Sequence, residues 1–392
     1  MKNERYLANP MRQDALALGK MAFLSGPRQV GKTTLAKSLL VAKDNYRTWD
    51  DPDFRRAWTR SPRTALADRA EGPMVLDEIH KDRGWKSRLK GFFDTEGAGQ
   101  GLVVTGSARL DLYRKGGDSL LGRFIPYRLH PFSVGESATP PTPDTALEAS
   151  NPRFSVKNLL RLGGFPEPLL GGSEARANRW SRLRMERLLG EDVRDLRAVE
   201  HLSGLRILAD LLPTKVGGLL SVNALREDLG TAHGTVASWL SVFDSLYHTF
   251  LLRPYAKRLT RAIRGAPKLY LFDLLRIPVS AAGARLENLV ALHLLKACHY
   301  WTDTAQGEFD LHFVRDKEQR EVDFLIVRDG KPWWLVECKS GQTDPAPALL
   351  YFRAKLGNPR CFQLVAKAGH DRLFPAHGLR VIHHEKFLAG LV

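Results

Sequence analysis

Short apolar runs separated by polar, helix-like stretches set the pattern of the first third of the chain. MAFLSG at 21–26, PMVLDE at 73–78 and GLVVTG at 101–106 are rich in Val, Leu and Phe. Continuous apolar strands alternating with helices predict a parallel sheet covered on both faces. The pattern breaks at residues 137–153, SATPPTPDTALEASNPR, where four prolines and little apolar content predict a loop or linker. Residues 154–250 read mostly as helix. Strand-like runs return at 311–340 as LHFV, EVDFLIV and WWLVECK, and an Asp329-Gly330 pair between the last two is a hairpin signal. The order is therefore α/β, then helical, then mixed α/β, with no repeat of solenoid period.

A length of 392 residues predicts two to three domains at roughly 150 residues each. The 43% hydrophobic and 26% charged content suits soluble cores and excludes a mostly disordered chain. No run reaches the ~18 uncharged apolar residues of a spanning helix. The N-terminal stretch, interrupted by charges, lacks the apolar core of a secretory signal. Cys298, Cys338 and Cys361 are odd in number and lack metal-ligand spacing. They predict a reducing, cytoplasmic location without a disulfide framework. Lys and Arg number 59 against 43 acids, a net charge of +16. That excess points to a polyanion such as nucleic acid, with a merely solvated basic surface as the alternative.

The run from Gly26 to Thr34, GPRQVGKTT, matches G-x-x-x-x-G-K-[ST] between an apolar strand and an amphipathic run. Gly26 and Gly31 allow a tight loop through Pro27, Arg28, Gln29 and Val30, so that backbone N–H groups from about Gln29 to Thr33 point at phosphate oxygens at a helix start. Lys32 is placed to reach the β- and γ-phosphates of ATP, Thr33 to bind Mg²⁺ through its hydroxyl, and Thr34 to continue the cradle. Asp77, at the end of the second apolar run, falls at the Mg²⁺ position of this architecture, and Glu78 is placed to orient or deprotonate the attacking water. At the end of the third run, Thr105 is the first choice, and Ser107 the second, for a hydroxyl that holds that water or senses the γ-phosphate. Arg123 stands before the strand FIPYRL, where an arginine can reach a neighbouring subunit's nucleotide. Arg109 competes for that role, and a surface ion pair is the plain reading of Arg123.

These motifs, together with LLGRFIPYRLHPFSVGE, GGFPEPLL (163–170), PKLYLFD (267–273) and EVDFLIV (321–327), resemble a bacterial and archaeal family of AAA-type ATPases. The family carries a C-terminal domain of unknown function, the AAA-14 and DUF4143 pairing, and the resemblance covers nearly the whole chain. It implies an α/β fold: an AAA-type P-loop core (1–140), a helical lid (141–205), a winged-helix module (206–265) and a restriction-endonuclease-like α/β C-terminal domain (266–392).

Residues 221–254 have helix-turn-helix spacing, with Leu225 and Leu229 on a first helix, a turn at Gly230–His233, and Val236, Leu240 and Phe243 on one face of a second. The following LYHTFLLRPYAKRL reads as the strand pair of a wing. The absence of Lys and Arg from 231–245 argues against base reading. Arg253, Lys257, Arg258, Arg261, Arg264, Lys268, Arg276 and Arg285, against the one acid Asp273, instead suit phosphate-backbone contact.

Near the C-terminus, Glu337 and Lys339 share a strand face by their spacing, with Asp323 on an adjoining strand and Glu287 at the start of the preceding helix. This resembles the PD-(D/E)xK nuclease pattern, which implies Mg²⁺ or Mn²⁺ held by Asp323, Glu337 and Glu287, with Lys339 activating a water. A nuclease fold kept for structure or DNA grip, with Lys339 paired to Glu337, is the alternative. The function expected is an ATP-hydrolysing, homo-oligomeric and hexameric ring that moves or remodels duplex or branched DNA. The order of modules is similar to that of Holliday-junction branch-migration motors. A nucleotide-dependent switch that binds protein partners, and an ATP-gated structure-selective nuclease, are the competing readings.

Overall fold

The computed structural model describes residues 5–97, 101–106, 120, 122–193, 202–256 and 265–392. The chain divides into two compact units. The first holds residues up to Pro131 with two short returning pieces, and the second holds nearly all the rest. Ser107, Arg109, Lys257, Arg258, Arg261 and Arg264 lie outside the described residues.

In the first unit, β1 (Met21–Ser25), β2 (Tyr46–Thr48), β3 (Met74–Asp77), β4 (Leu102–Thr105) and β5 (Phe124–Arg128) form one sheet in the order β2-β3-β4-β1-β5. Every pairing is parallel. β1, β3 and β4 are buried along their whole length, as their unbroken apolar runs require. Phe23, Leu76 and Val104 pack with Trp58, Trp85 and Leu89 from helices on one side. Each such fully buried side chain contributes about 1.5–3 kcal/mol of apolar burial. The helix Pro52–Arg60 starts where Asp51 accepts from the Asp53 amide and Pro52 presets the first turn. Parallel strands place all their C-terminal ends on one edge of the sheet, which is where the phosphate loop, Asp77 and Thr105 emerge.

The second unit begins with Phe132–Glu136. In this segment the Glu136 carboxylate meets Lys296 Nζ at 2.5 Å, with both side chains almost fully buried, and Ser133 Oγ donates to the Val392 carbonyl at 2.6 Å. The Phe132–Glu136 part of the LLGRFIPYRLHPFSVGE motif is thus core of this unit. Helices Val156–Leu162, Pro166–Gly171 and Glu174–Arg187 follow, then Leu202–Leu211, Val222–Asp228 and His233–Ser245. Leu225, Val236, Leu240 and Phe243 are buried, as the helix-turn-helix spacing demands. β6 (Thr249–Leu252) pairs antiparallel with β7 (Lys268–Leu271).

The helix Ala282–Asp303 leads into a six-stranded mixed sheet. Its strands are β8 (Phe309–Arg315), β9 (Glu321–Arg328), β10 (Lys331–Lys339), β11 (Arg360–Val365), β12 (Asp371–Phe374) and β13 (Leu379–His383), in the order β12-β13-β11-β10-β9-β8. Asp329 and Gly330 both take positive φ, 50° and 75°, the left-handed pair that a two-residue hairpin needs. The adjacent Trp334 and Leu335 are both buried. Leu335 packs with Leu349 and Phe352 of the helix Pro347–Lys355, while Trp334 meets Trp301 of the long helix and Phe387. The sheet is therefore covered on both faces.

Candidate functional site

The loop after β1 is shaped by two glycines. Gly26 has φ +143°, and a Cβ there would sit 2.3 Å from the Leu129 carbonyl oxygen, so only glycine fits. Gly31, at φ +99°, turns the chain into the helix Lys32–Ser38. Between them Gln29 also takes positive φ, and the Val30 amide donates to the Pro27 carbonyl at 3.3 Å. Lys32 is buried, and its Nζ donates to the Gly26 and Pro27 carbonyls at 2.9 Å each, so the ammonium spans the loop's own mouth. Pro27 and Val30 are buried, Arg28 is half-buried and Thr34 is exposed. Arg5, which sequence reasoning missed, donates to the Val30 carbonyl at 2.9 Å and braces the loop from behind.

Asp77 is the hub of this edge. It is 4% exposed at the end of β3, and three hydroxyls converge on it. Thr33 Oγ1 donates to Oδ2 at 2.8 Å, Tyr46 donates to the same oxygen at 2.6 Å, and Thr105 bonds Oδ1. A buried carboxylate needs such donors, because its desolvation is otherwise uncompensated. The residues present fit a hydrated divalent cation: a threonine hydroxyl at the helix start and a carboxylate at the strand end stand side by side, as a phosphate-bound Mg²⁺ requires. Tyr46 was not singled out from the sequence. Its strand is only three residues long and carries no apolar run, so only the β2–β3 pairing puts it beside Asp77. Burial and Asp77 push the Tyr46 hydroxyl well above its ordinary pKa. Its ring also lies 3.9 Å from Lys37 Nζ.

Glu78 follows at φ +58°, a left-handed conformation that a non-glycine residue rarely adopts and that turns it away from the strand. Burial raises its pKa, opposed by Lys32 and Lys81, whose Nζ stands 3.7 Å away. Arg123 does not sit at this edge. It immediately precedes β5, and its neighbour Phe124 pairs with Met21 at the start of β1, whereas the phosphate loop leaves the other end of β1. Its guanidinium grips Asp94 in a bidentate pair at 2.6 and 3.1 Å.

In the second unit, the structure brings together Glu287, Asp323, Glu337 and Lys339, as their spacing suggested. The helix begins at Ala282, so Glu287 lies in its second turn rather than at its start. Lys339 Nζ meets Glu337 Oε1 at 2.6 Å, and Glu337 Oε2 accepts the Asp323 amide at 3.1 Å. Lys268, on β7, joins this cluster, although the sequence placed it only in the basic run. Its ammonium, 3% exposed, lies 3.2 Å from Glu287, 2.7 Å from Glu321 and 3.3 Å from Asp323. Burial opposes its charge, but the three carboxylates outweigh burial and raise its pKa. Burial and the neighbouring Asp323 push both Glu287 and Glu337 up to about 7. Among the described residues no group of three or more His, Cys, Asp or Glu is arranged to hold a metal ion. The expected Mg²⁺ or Mn²⁺ does not fit here, because a lysine already stands among its ligands.

Two other described members of the basic run are also turned to protein partners: Arg276 pairs with Asp210 at 2.9 Å, and the buried Arg285 donates to the Leu160 carbonyl, while Arg253 is exposed. No helix among the described residues is long and apolar enough to cross a membrane.

Comparison with known proteins adds three family matches. Residues 19–138 match an AAA domain, residues 153–274 a domain of unknown function (DUF8612), and residues 282–383 a second such domain (DUF4143). The first and third support an AAA-type P-loop ATPase with a DUF4143 C-terminal domain. The chain is 25% identical over 349 residues to the uncharacterized proteins Mb2031c of Mycobacterium bovis and Rv2008c of Mycobacterium tuberculosis, covering 84% of this chain and 75% of each relative. Among solved structures it is similar to the Thermotoga maritima RuvB Holliday junction branch migration motor, at 18% identity and a TM-score of 0.31, over 64% of this chain and 86% of that one.

Proposed function

We propose that this protein is a Mg²⁺-dependent ATPase that works as an oligomeric motor or remodeller on DNA. The observation that carries the ATPase reading is the convergence of Thr33, Thr105 and Tyr46 on the buried Asp77, beside a loop that only glycine can form. In this reading the loop from Gly26 to Thr34 holds the phosphates, Lys32 exchanges its two carbonyl partners for phosphate oxygens, and Thr33 with Asp77 hold Mg²⁺. The ion, when bound, neutralises charge between the β- and γ-phosphates. Glu78 orients the attacking water, and burial raises its pKa, which strengthens it as a base. Thr105, bonded to Asp77, is positioned to report on the γ-phosphate.

Arg123 lies at the end of β1 opposite its own phosphate loop, which favours service to a neighbour's nucleotide. We read the assembly as a ring, with six subunits as the expected number, in which Asp94 holds Arg123 until a neighbour docks. The net charge of +16 favours DNA as the polyanion, contacted through its backbone. A second reading, a nucleotide switch that binds proteins, is favoured by one observation: Lys268, Arg276 and Arg285 are spent on internal partners rather than on an open basic face.

The test is the ATPase rate of wild type and Lys32→Ala with no DNA and with single-stranded, duplex, forked and four-way DNA, at two salt concentrations. Stimulation by DNA that weakens steeply with salt supports the motor. Full activity without DNA, unchanged by any of the four, overturns the DNA half of the reading. Turnover in Lys32→Ala overturns the ATPase half.

A further inference from the structure

The acids of the C-terminal unit have the spacing of a metal-dependent nuclease, yet their geometry is that of a closed ion-pair cluster. Four carboxylates lie together: Glu287, Glu321, Asp323 and Glu337. Three cations answer them. Lys268 Nζ touches Glu287, Glu321 and Asp323 at 2.7–3.3 Å. Arg315 takes the second oxygen of Glu321 at 2.6 Å, and Lys339 takes Glu337 at 2.6 Å. Most of the other oxygens are also taken up, with Tyr270 sharing the Glu287 oxygen that Lys268 holds. Asp323 Oδ2 accepts the Cys338 amide at 2.9 Å, Glu337 Oε2 accepts the Asp323 amide, and Tyr270 donates to Glu287 at 2.8 Å. Lys268 comes from β7, which is paired with β6, and it reaches carboxylates on the helix Ala282–Asp303 and on β9.

We infer that Lys268 is the resident cation of this cluster, standing where a divalent metal would stand, so that the C-terminal unit holds no catalytic Mg²⁺ or Mn²⁺ while β7 is in place. An ammonium carries one charge, donates three hydrogen bonds and is tethered, so it is paid no translational entropy to enter. A dication entering beside it meets like-charge repulsion at close range in a desolvated site, and loses the Asp323 and Glu287 oxygens that Lys268 already holds. The cluster thereby serves as a latch between β7 and the sheet, and metal-dependent strand cleavage is closed to the protein in this state. This inference stands apart from the ATPase reading, because it concerns residues of the second unit alone.

The test is Mn²⁺ binding to the nucleotide-free full-length protein, followed by the loss of the free-ion electron paramagnetic resonance signal. Wild type and Lys268→Arg are expected to bind no Mn²⁺ that Asp323→Asn removes. Lys268→Ala, which empties the position and leaves the carboxylates, is expected to gain one site, at least tenfold tighter than any wild-type binding. Adding Asp323→Asn to it should abolish that site. A wild-type Mn²⁺ site lost in Asp323→Asn and no tighter in Lys268→Ala overturns the inference. If Lys268→Ala is unfolded in EDTA, recovery of its circular dichroism with Mn²⁺ supports the inference. If it stays unfolded, the wild-type titration decides: a saturable site sensitive to Asp323→Asn refutes it, and none upholds it.

Discussion

Lys81 offers a quantitative handle on Glu78. Its ammonium stands 3.7 Å from the Glu78 carboxylate, and the two side chains are 37% and 25% exposed. Both are only partly in water, and solvent-accessible pairs of this kind are worth at most about 1 kcal/mol once screening and side-chain entropy are counted. One pKa unit is about 1.36 kcal/mol, so Lys81→Met should raise the Glu78 pKa by the equivalent of that lost attraction. Asp50, which pairs with Lys81 at 2.7 Å, is also unmasked by the change and pushes in the same direction. The sign is definite: a carboxylate that loses a cation holds its proton to higher pH. If Glu78 must be deprotonated to accept the proton of the attacking water, the acid limb of the pH–kcat profile moves up by that amount, while the plateau above it is unchanged. The assay is steady-state ATP hydrolysis from pH 5 to 9 at saturating MgATP and low salt. Repeating it at 0.5 M salt should shrink the difference, because the pair is solvent-accessible and screened. An acid limb that stays put or moves down in Lys81→Met would refute the assignment of that limb to Glu78. So would a Glu78→Gln enzyme with the same limb and less than about a tenfold loss of rate, since a lost general base costs roughly 10²–10⁴.

Gly26→Ala should abolish nucleotide binding in a fluorescent-ATP titration: the positive φ costs about 1–3 kcal/mol for a residue with a Cβ, and the collision with the Leu129 carbonyl adds to it. Tyr46→Phe removes one of the three hydroxyls on Asp77 and should destabilise the nucleotide-free first unit by about 1.5–3 kcal/mol in urea melts, since hydrogen bonds to charged groups are worth that much; an unchanged midpoint would mean that Tyr46 is not a support of Asp77. Mixing Arg123→Ala with Lys32→Ala protein should restore part of the turnover that neither has alone, because a ring of both contains interfaces with an intact loop facing an intact arginine; a fully active monomer by light scattering excludes that arrangement. Lys339→Ala should lower the melting temperature by leaving the nearly buried Glu337 without its 2.6 Å partner, whereas DNA nicking should be absent in wild type and variant alike.

The parallel sheet and the phosphate loop were legible in the sequence because their physics is local. A strand buried on both faces must be apolar at every position, as β1, β3 and β4 are, and a loop that wraps phosphate must carry glycine where Gly26 and Gly31 stand. The Asp329-Gly330 hairpin and the buried face of Val236, Leu240 and Phe243 were legible for the same reason: turn conformation and helical period act over a few residues. What tertiary structure alone decided are the partners of charge and hydroxyl groups, because such contacts form between residues far apart in the chain. Tyr46 reaches Asp77 only through β2–β3 pairing, and Glu136 finds Lys296 across 160 residues. Lys268, read in sequence as one more cation of a basic run, lies 55 residues from Asp323, on a strand paired with β6. Its side chain turned the reading of the acidic cluster from a metal site to an ion-pair latch. Periodicity records which face of an element is buried, whereas only the packed arrangement of several elements says which opposite charge a buried carboxylate will meet.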